Sequence, residues 1–92
     1  MGRYRVAVYL RYNEYNTLQS TFEPTYIGDL DAEDFKGAAA TALIRADITE
    51  YSIDDIFRIK NRQPNWEDDV HIVVHSLNKE NYYECAYFYI WI

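Results

Sequence analysis

At 92 residues, with 49% hydrophobic and 26% charged side chains, the chain has the apolar density of a folded domain and the length of a single domain with a modest core, which excludes intrinsic disorder. Its formal net charge of −6 is concentrated in the middle: residues 29 to 69 carry eleven acidic and five basic side chains, while the flanking segments cancel. Cys85 is the only cysteine, which excludes an intrachain disulfide and a zinc site built from cysteines.

In RYRVAVYLRY (3–12) the even positions Tyr4, Val6, Val8, Leu10 and Tyr12 are apolar, and the odd positions are Arg3, Arg5, Ala7, Tyr9 and Arg11. That alternation predicts a half-buried strand. The apolar run from Val6 to Leu10 is too short for a signal-peptide core or a membrane span, so a cytoplasmic location is expected. TLQSTFEPTYI (17–27) alternates more weakly, with Leu18 and Phe22 set against Thr17, Gln19, Thr21 and Glu23. Pro24 marks it as an edge strand or its end, and NEYN (13–16) is the turn of a hairpin joining the two.

GDLDAEDFKGAAATALIRAD (28–47) switches to helical spacing, with Phe35, Ala38, Ala39, Ala42, Leu43 and Ala46 forming one apolar stripe. Asp31 is the expected N-cap, Asp34 falls at the third helical position, and Leu30 can staple onto Phe35. The alanines allow this helix to lie close against a sheet. In TEYSIDDIFRIK (49–60), Ser52 and Asp55 form a second capping box, which predicts a short helix through Lys60, with IFRIK as the alternative strand. Residues 61–69 read as a loop around Pro64, carrying Trp66 and the acidic run Glu67, Asp68 and Asp69. VHIVVHSL (70–77) and YYECAYFYIW (82–91) are two further strands joined by NKEN (78–81).

These elements describe an α+β domain: a four-stranded antiparallel sheet of two hairpins, with one amphipathic helix on its even face and a short second helix or strand. The terminal strand is apolar on both faces, so both need cover. Tyr87, Tyr89 and Trp91 can each bury roughly 150–250 Å², together on the order of 500 Å², about the largest apolar patch a typical monomer exposes. With Tyr9 they make the odd face a candidate surface for a protein partner or a second copy of the chain, a homodimer. The intramolecular alternative is that residues 48–69 fold across it with Ile56, Phe57 and Trp66.

No stretch carries a catalytic, metal or cofactor motif, and no cofactor is expected. The three glycines are scattered, and His71 and His75 would stand ~13 Å apart along one strand, too far to share a metal. If Ser76 faces Tyr82, Cys85 lies opposite Val73 and both histidines sit on its diagonals, roughly 7–8 Å away. This is marginal for an activated thiol, and a cysteine-dependent enzyme is kept as an alternative. Another alternative is an RNA- or single-stranded-DNA-binding face, in which Arg3, Arg5 and Arg11 meet phosphates and the Tyr and Trp rings stack bases. A third treats the acidic residues, Glu67, Asp68 and Asp69 above all, as a nucleic-acid mimic addressed to a basic protein.

The expected function is that of a non-enzymatic, small, acidic protein-interaction domain, an inhibitor or regulator of a macromolecular partner. In shortness, acidity, tyrosine content and lack of motifs the chain is similar in general kind to phage-encoded inhibitors of host defence, anti-CRISPR and anti-restriction proteins among them. That likeness of type, which rests on no shared motif, implies a viral protein.

Overall fold

A computed structural model of the chain describes residues 2–10, 24–59, 70–82 and 84–90. They form strands β1 (Gly2–Leu10), β2 (Tyr26–Ala32), β3 (Ile56–Ile59), β4 (Val70–Ser76) and β5 (Cys85–Ile90), and one helix, α1 (Phe35–Arg45). The strands pair antiparallel in the order β2-β1-β4-β5-β3. The architecture is the expected α+β arrangement of one helix on an antiparallel sheet, but the sheet has five strands rather than four. No helix among the described residues is long and apolar enough to cross a membrane.

The parity of the sequence sets the layers. In every ladder, even residues pair with even and odd with odd, as in Val6↔Val74, Ile72↔Phe88 and Ile56↔Ile90. One face therefore collects Tyr4, Val6 and Val8 from β1, Val70, Ile72 and Val74 from β4, and Ala86, Phe88 and Ile90 from β5, all buried. Helix α1 presses Ala38, Ala39, Ala42 and Leu43 onto this face. The stripe read from the sequence is the stripe that packs, and its small side chains let the helix approach closely.

Three boundaries differ from the sequence reading. The strand beside β1 is β2, at 26–32, so the chain is extended through Asp29 and Asp31 where a helix start was expected; the predicted strand segment 17–23 and the turn 13–16 lie outside the described residues. Aspartate is a poor strand former, but both aspartates stand directly across from arginines of β1, Arg5↔Asp29 and Arg3↔Asp31. Leu30, read as a staple, is a fully buried core residue. Gly28 leaves room for its neighbour on this strand, since a Cβ there would meet the Tyr26 hydroxyl at 2.6 Å.

The N-cap is consequently Asp34 rather than Asp31. Its Oδ1 accepts from the Gly37 backbone N–H at 2.7 Å, so the roughly 1 kcal/mol that a cap contributes belongs to Asp34. At the other end Asp47 adopts a left-handed backbone, φ 63°. Its N–H donates to the Ile44 carbonyl at 3.0 Å, and the Ile48 N–H donates to the Leu43 carbonyl at 2.9 Å. These bonds close the helix and turn Ile48 into the core. Since glycine adopts this conformation without steric cost, Asp47→Gly should stabilise the protein by about 1 kcal/mol, read as a raised urea midpoint at unchanged m-value.

The third difference is at 52–60. The capping box forms, with the Ser52 backbone N–H donating to Asp55 Oδ2 at 2.8 Å, but it opens only a single 3₁₀ turn, Ile53–Asp55. The chain then becomes β3 instead of continuing as a helix, because Ile56 inserts into the core beside Ile90.

Candidate interaction face

The helix covers one face of the sheet, and the odd residues of all five strands form the other. The registers arrange them in rows that run across the strands. One row is polar: Asp29, Arg5, His75 and Cys85. The next is Ile27, Ala7, Val73, Tyr87 and Ile59, and the one after it is Tyr9, His71, Tyr89 and Phe57. Two adjacent rows of this face are thus almost wholly apolar or aromatic, the first across all five strands and the second across β1, β4, β5 and β3.

Of the residues singled out in the sequence, Tyr9, Tyr87 and Tyr89 are brought together here, all half-buried. Tyr9 stacks on His71, with ring centroids 5.3 Å apart at 25°, and Tyr89 packs on Phe57 at 5.7 Å. Trp91, Glu67, Asp68 and Asp69 lie outside the described residues, as do Arg11 and Trp66. Of the segment expected to fold across the face, 48–69, residues 56–59 extend the sheet at its edge, where Phe57 becomes a member of the aromatic row and Arg58 turns to the helix side, 5.7 Å from the Phe35 ring; residues 60–69 lie outside the described residues. Ile59, His71 and Ala7 are buried at 7%, 2% and 9% exposure, whereas Phe57 and Ile27 at the two edges are 46% and 62% exposed. Burial thus extends from the middle of the face to Ile59 on the edge strand β3, and Phe57 and Ile27 are its open apolar positions. The sequence points to Phe57 only as part of a cover and does not single out Ile27. The available signal was their odd number, which becomes legible only once their strands are known.

The described charges on this face are paired with one another. Arg5 grips Asp29 with two bonds, Nε to Oδ1 at 2.8 Å and Nη2 to Oδ2 at 3.1 Å, and Arg3 Nη1 donates to Asp31 Oδ1 at 3.2 Å. The hydrogen bond from Arg5 holds the Asp29 carboxyl below its ordinary value. Arg3 and Arg5, two of the three arginines of the phosphate-binding reading, are thus matched by carboxylates across the strand. By the same pairing Asp29 and Asp31 leave the acidic row proposed for mimicry, and Asp34 and Asp55 are engaged in capping. Exposed pairs of this kind contribute little to stability. Because folding lowers the Asp29 carboxyl, that contribution is fully present above the ordinary carboxylate pKa and is lost as pH falls from there through the lowered value.

The thiol is placed differently from the expectation. Ser76 N–H donates to the Glu84 carbonyl at 2.8 Å, and a 3₁₀ turn, Lys79–Asn81, lengthens the connection. The register is therefore displaced by two residues, so that His75 rather than Val73 faces Cys85. Cys85 Sγ lies 3.9 Å from His75 Nε2, a contact rather than a diagonal. Burial nonetheless pushes the Cys85 thiol up, only partly offset by a hydrogen bond with Tyr87, which works against a resting thiolate nucleophile. Alkylation by iodoacetamide should consequently be slower at pH 7–8 than for a free thiol and should accelerate only at alkaline pH. Reaction at neutral pH faster than a model thiol would mark an activated cysteine. Among the described residues no group of three or more His, Cys, Asp or Glu can hold a metal ion.

Compared with known proteins, the chain matches no family model, and no curated protein or solved structure matches it.

Proposed function

We propose that the chain is a non-enzymatic binding domain that docks a protein partner on the odd face of its sheet and acts as an inhibitor or regulator of that partner. The observation that carries the reading is the pair of adjacent rows on the side away from the helix, one spanning all five strands and the other four of them. Rings such as Tyr9 and Tyr89, held in rows by the sheet with Phe57 and Ile27 open beside them, are the anchor type found at interface centres.

Magnitude and charge decide what kind of partner fits. Five strands at ~4.8 Å spacing and three rows at ~6.8 Å give a face of about 400–500 Å². That is below the ~800 Å² per partner of a standard interface, so a stable complex needs contacts beyond the rows. With a net charge of −6, a second copy is repelled, whereas a partner whose apolar patch is ringed by lysine and arginine gains steering and rim contacts. A basic, nucleic-acid-handling host protein is the partner class that the compositional likeness to phage inhibitors of host defence suggests.

The test is calorimetry with a purified basic partner nominated by affinity capture. Binding should show a negative ΔCp from apolar burial and weaken as salt rises. The chain alone should bind neither RNA nor DNA at low salt. Direct nucleic-acid binding that falls steeply with salt would overturn the reading in favour of phosphate contacts.

A further inference from the structure

The two edges of the sheet are not alike. β3 at one edge is four residues long, and its Ile56 N–H turns back to the Ile53 carbonyl. β2 at the other edge is seven residues long, and among the described residues no strand pairs with its outer side. We propose that the outer edge of β2 receives an extended segment of the protein partner, added antiparallel as a further strand, with a basic residue across from Asp31 and an apolar residue across from Ile27. This placement rests on the docking reading of the odd face and says how the partner reaches beyond its rows.

Backbone direction is the first support. The Arg3 carbonyl accepts from the Leu77 N–H at 2.8 Å, and the Arg3 N–H donates to Asn78 Oδ1 at 2.7 Å, so the odd residues of β1 turn their backbone groups towards β4. Because an antiparallel strand alternates, the even residues turn theirs to β2, where Tyr4, Val6 and Val8 meet Leu30, Gly28 and Tyr26. The N–H and C=O groups of Ile27, Asp29 and Asp31 therefore point away from the sheet. Arg45 Nη1, at the end of α1, reaches the Asp29 carbonyl from outside the sheet at 3.5 Å, too long to occupy it strongly. A row of outward N–H and C=O groups is the template on which a strand is added.

The side chains on that edge choose the occupant. Ile27 is 62% exposed and ends the apolar row of the odd face, so an apolar residue added beside it continues the row. The Asp31 side chain is 57% exposed, and Arg3 Nη1 engages its Oδ1; a carboxylate has acceptor sites for a second donor. Asp29 is already gripped by Arg5 through both oxygens and makes no such demand. Read in its own direction, the added segment carries the basic residue first and the apolar residue four positions later. A second copy of the chain does not fit, because a two-fold axis through the middle of β2 sets Asp29 against Asp29, and like charges directly opposite are destabilising. A partner strand also supplies contact beyond the rows, whose area falls short of a standard interface.

The experiment is NMR titration of the labelled full chain with a synthetic peptide, capped at both ends, that has lysine second, isoleucine sixth and threonine at its other positions. The expected result is a saturable shift centred on β2, with amide exchange slowed at Ile27, Asp29 and Asp31 and unchanged at Gly28 and Leu30. A peptide with glutamate in place of lysine should bind at least ~tenfold more weakly. Asp31→Pro, which removes an outward N–H and leaves the ladder to β1 intact, should weaken the lysine peptide by a similar factor. The exchange pattern is read on the unaltered chain, so the outcome does not depend on the variant folding. No binding, slowed exchange at consecutive rather than alternate residues, shifts centred away from β2, or equal binding of the two peptides would each overturn the proposal. Tyr89→Ser, three strands away on β5, should bind the peptide unchanged. Partner binding lost in Tyr89→Ser while the peptide fails on the unaltered chain would remove the edge and leave the docking face standing.

Discussion

Phe88→Ala should destabilise the protein by about 3–5 kcal/mol, the cost of emptying a large aromatic site in a packed core. Phe88 is 1% exposed and the largest of the fully buried side chains among the described residues, and it pairs with Ile72 of β4 beneath the alanine stripe of α1. A domain of this length has roughly 5–14 kcal/mol of total stability, so the variant should be largely unfolded at moderate urea concentrations. The neighbouring ring on the opposite face gives the contrast. Phe57, on the edge strand and 46% exposed, should cost under about 1 kcal/mol as Phe57→Ser. Urea unfolding of both variants checks the assignment of the two faces, and equal losses would contradict it.

Tyr89→Ser should do the reverse, leaving the fold in place and weakening partner binding by at least about 2 kcal/mol, some thirtyfold in Kd. Tyr89 lies in the middle of the aromatic row, between His71 and Phe57 in register, and is only half-buried. Its removal takes one ring from an interface centre but none from the core, so a stability loss of about 1 kcal/mol is expected. Ile44 on the exposed side of α1, 68% exposed, is the control: Ile44→Ser should change neither property. A partner lost through Ile44→Ser and retained by Tyr89→Ser would move the interface to the helix.

The sequence made legible whatever depended on periodicity alone. The two-residue repeat in 3–12, 70–77 and 82–91 assigns the core face correctly at Tyr4, Val6, Val8, Ile72, Val74, Ala86, Phe88 and Ile90. The three- and four-residue steps locate the stripe of α1. Registers and boundaries were less visible, because they depend on pairs distant in the chain. Asp31 reads as an N-cap next to a helical pattern, and only the arginines of β1, 28 residues earlier in the case of Arg3, explain why it is extended. Ser52 and Asp55 make the capping box that they predict, yet Ile56 is worth more in the core than as a second helical turn.

The same limit governs the site. Parity placed Tyr9, Tyr87 and Tyr89 on one face, since a slip of two residues preserves the face of every side chain. It did not preserve partners. The longer connection after Ser76 moved Cys85 from Val73 to His75, turning a diagonal into a contact. Phe57, read as part of a cover, joined the row itself when its short strand paired with β5.

The central claim is that the odd face, not the helix or the acidic residues, meets the partner. Its most direct test is an NMR cross-saturation experiment on the labelled chain bound to its purified partner. The account predicts that saturation transfers to the amides of Tyr9, Val73, Tyr87, Tyr89 and Phe57 and spares those of Lys36, Thr41 and Ile44. Transfer centred on α1, with the rows of the sheet unaffected, would contradict it.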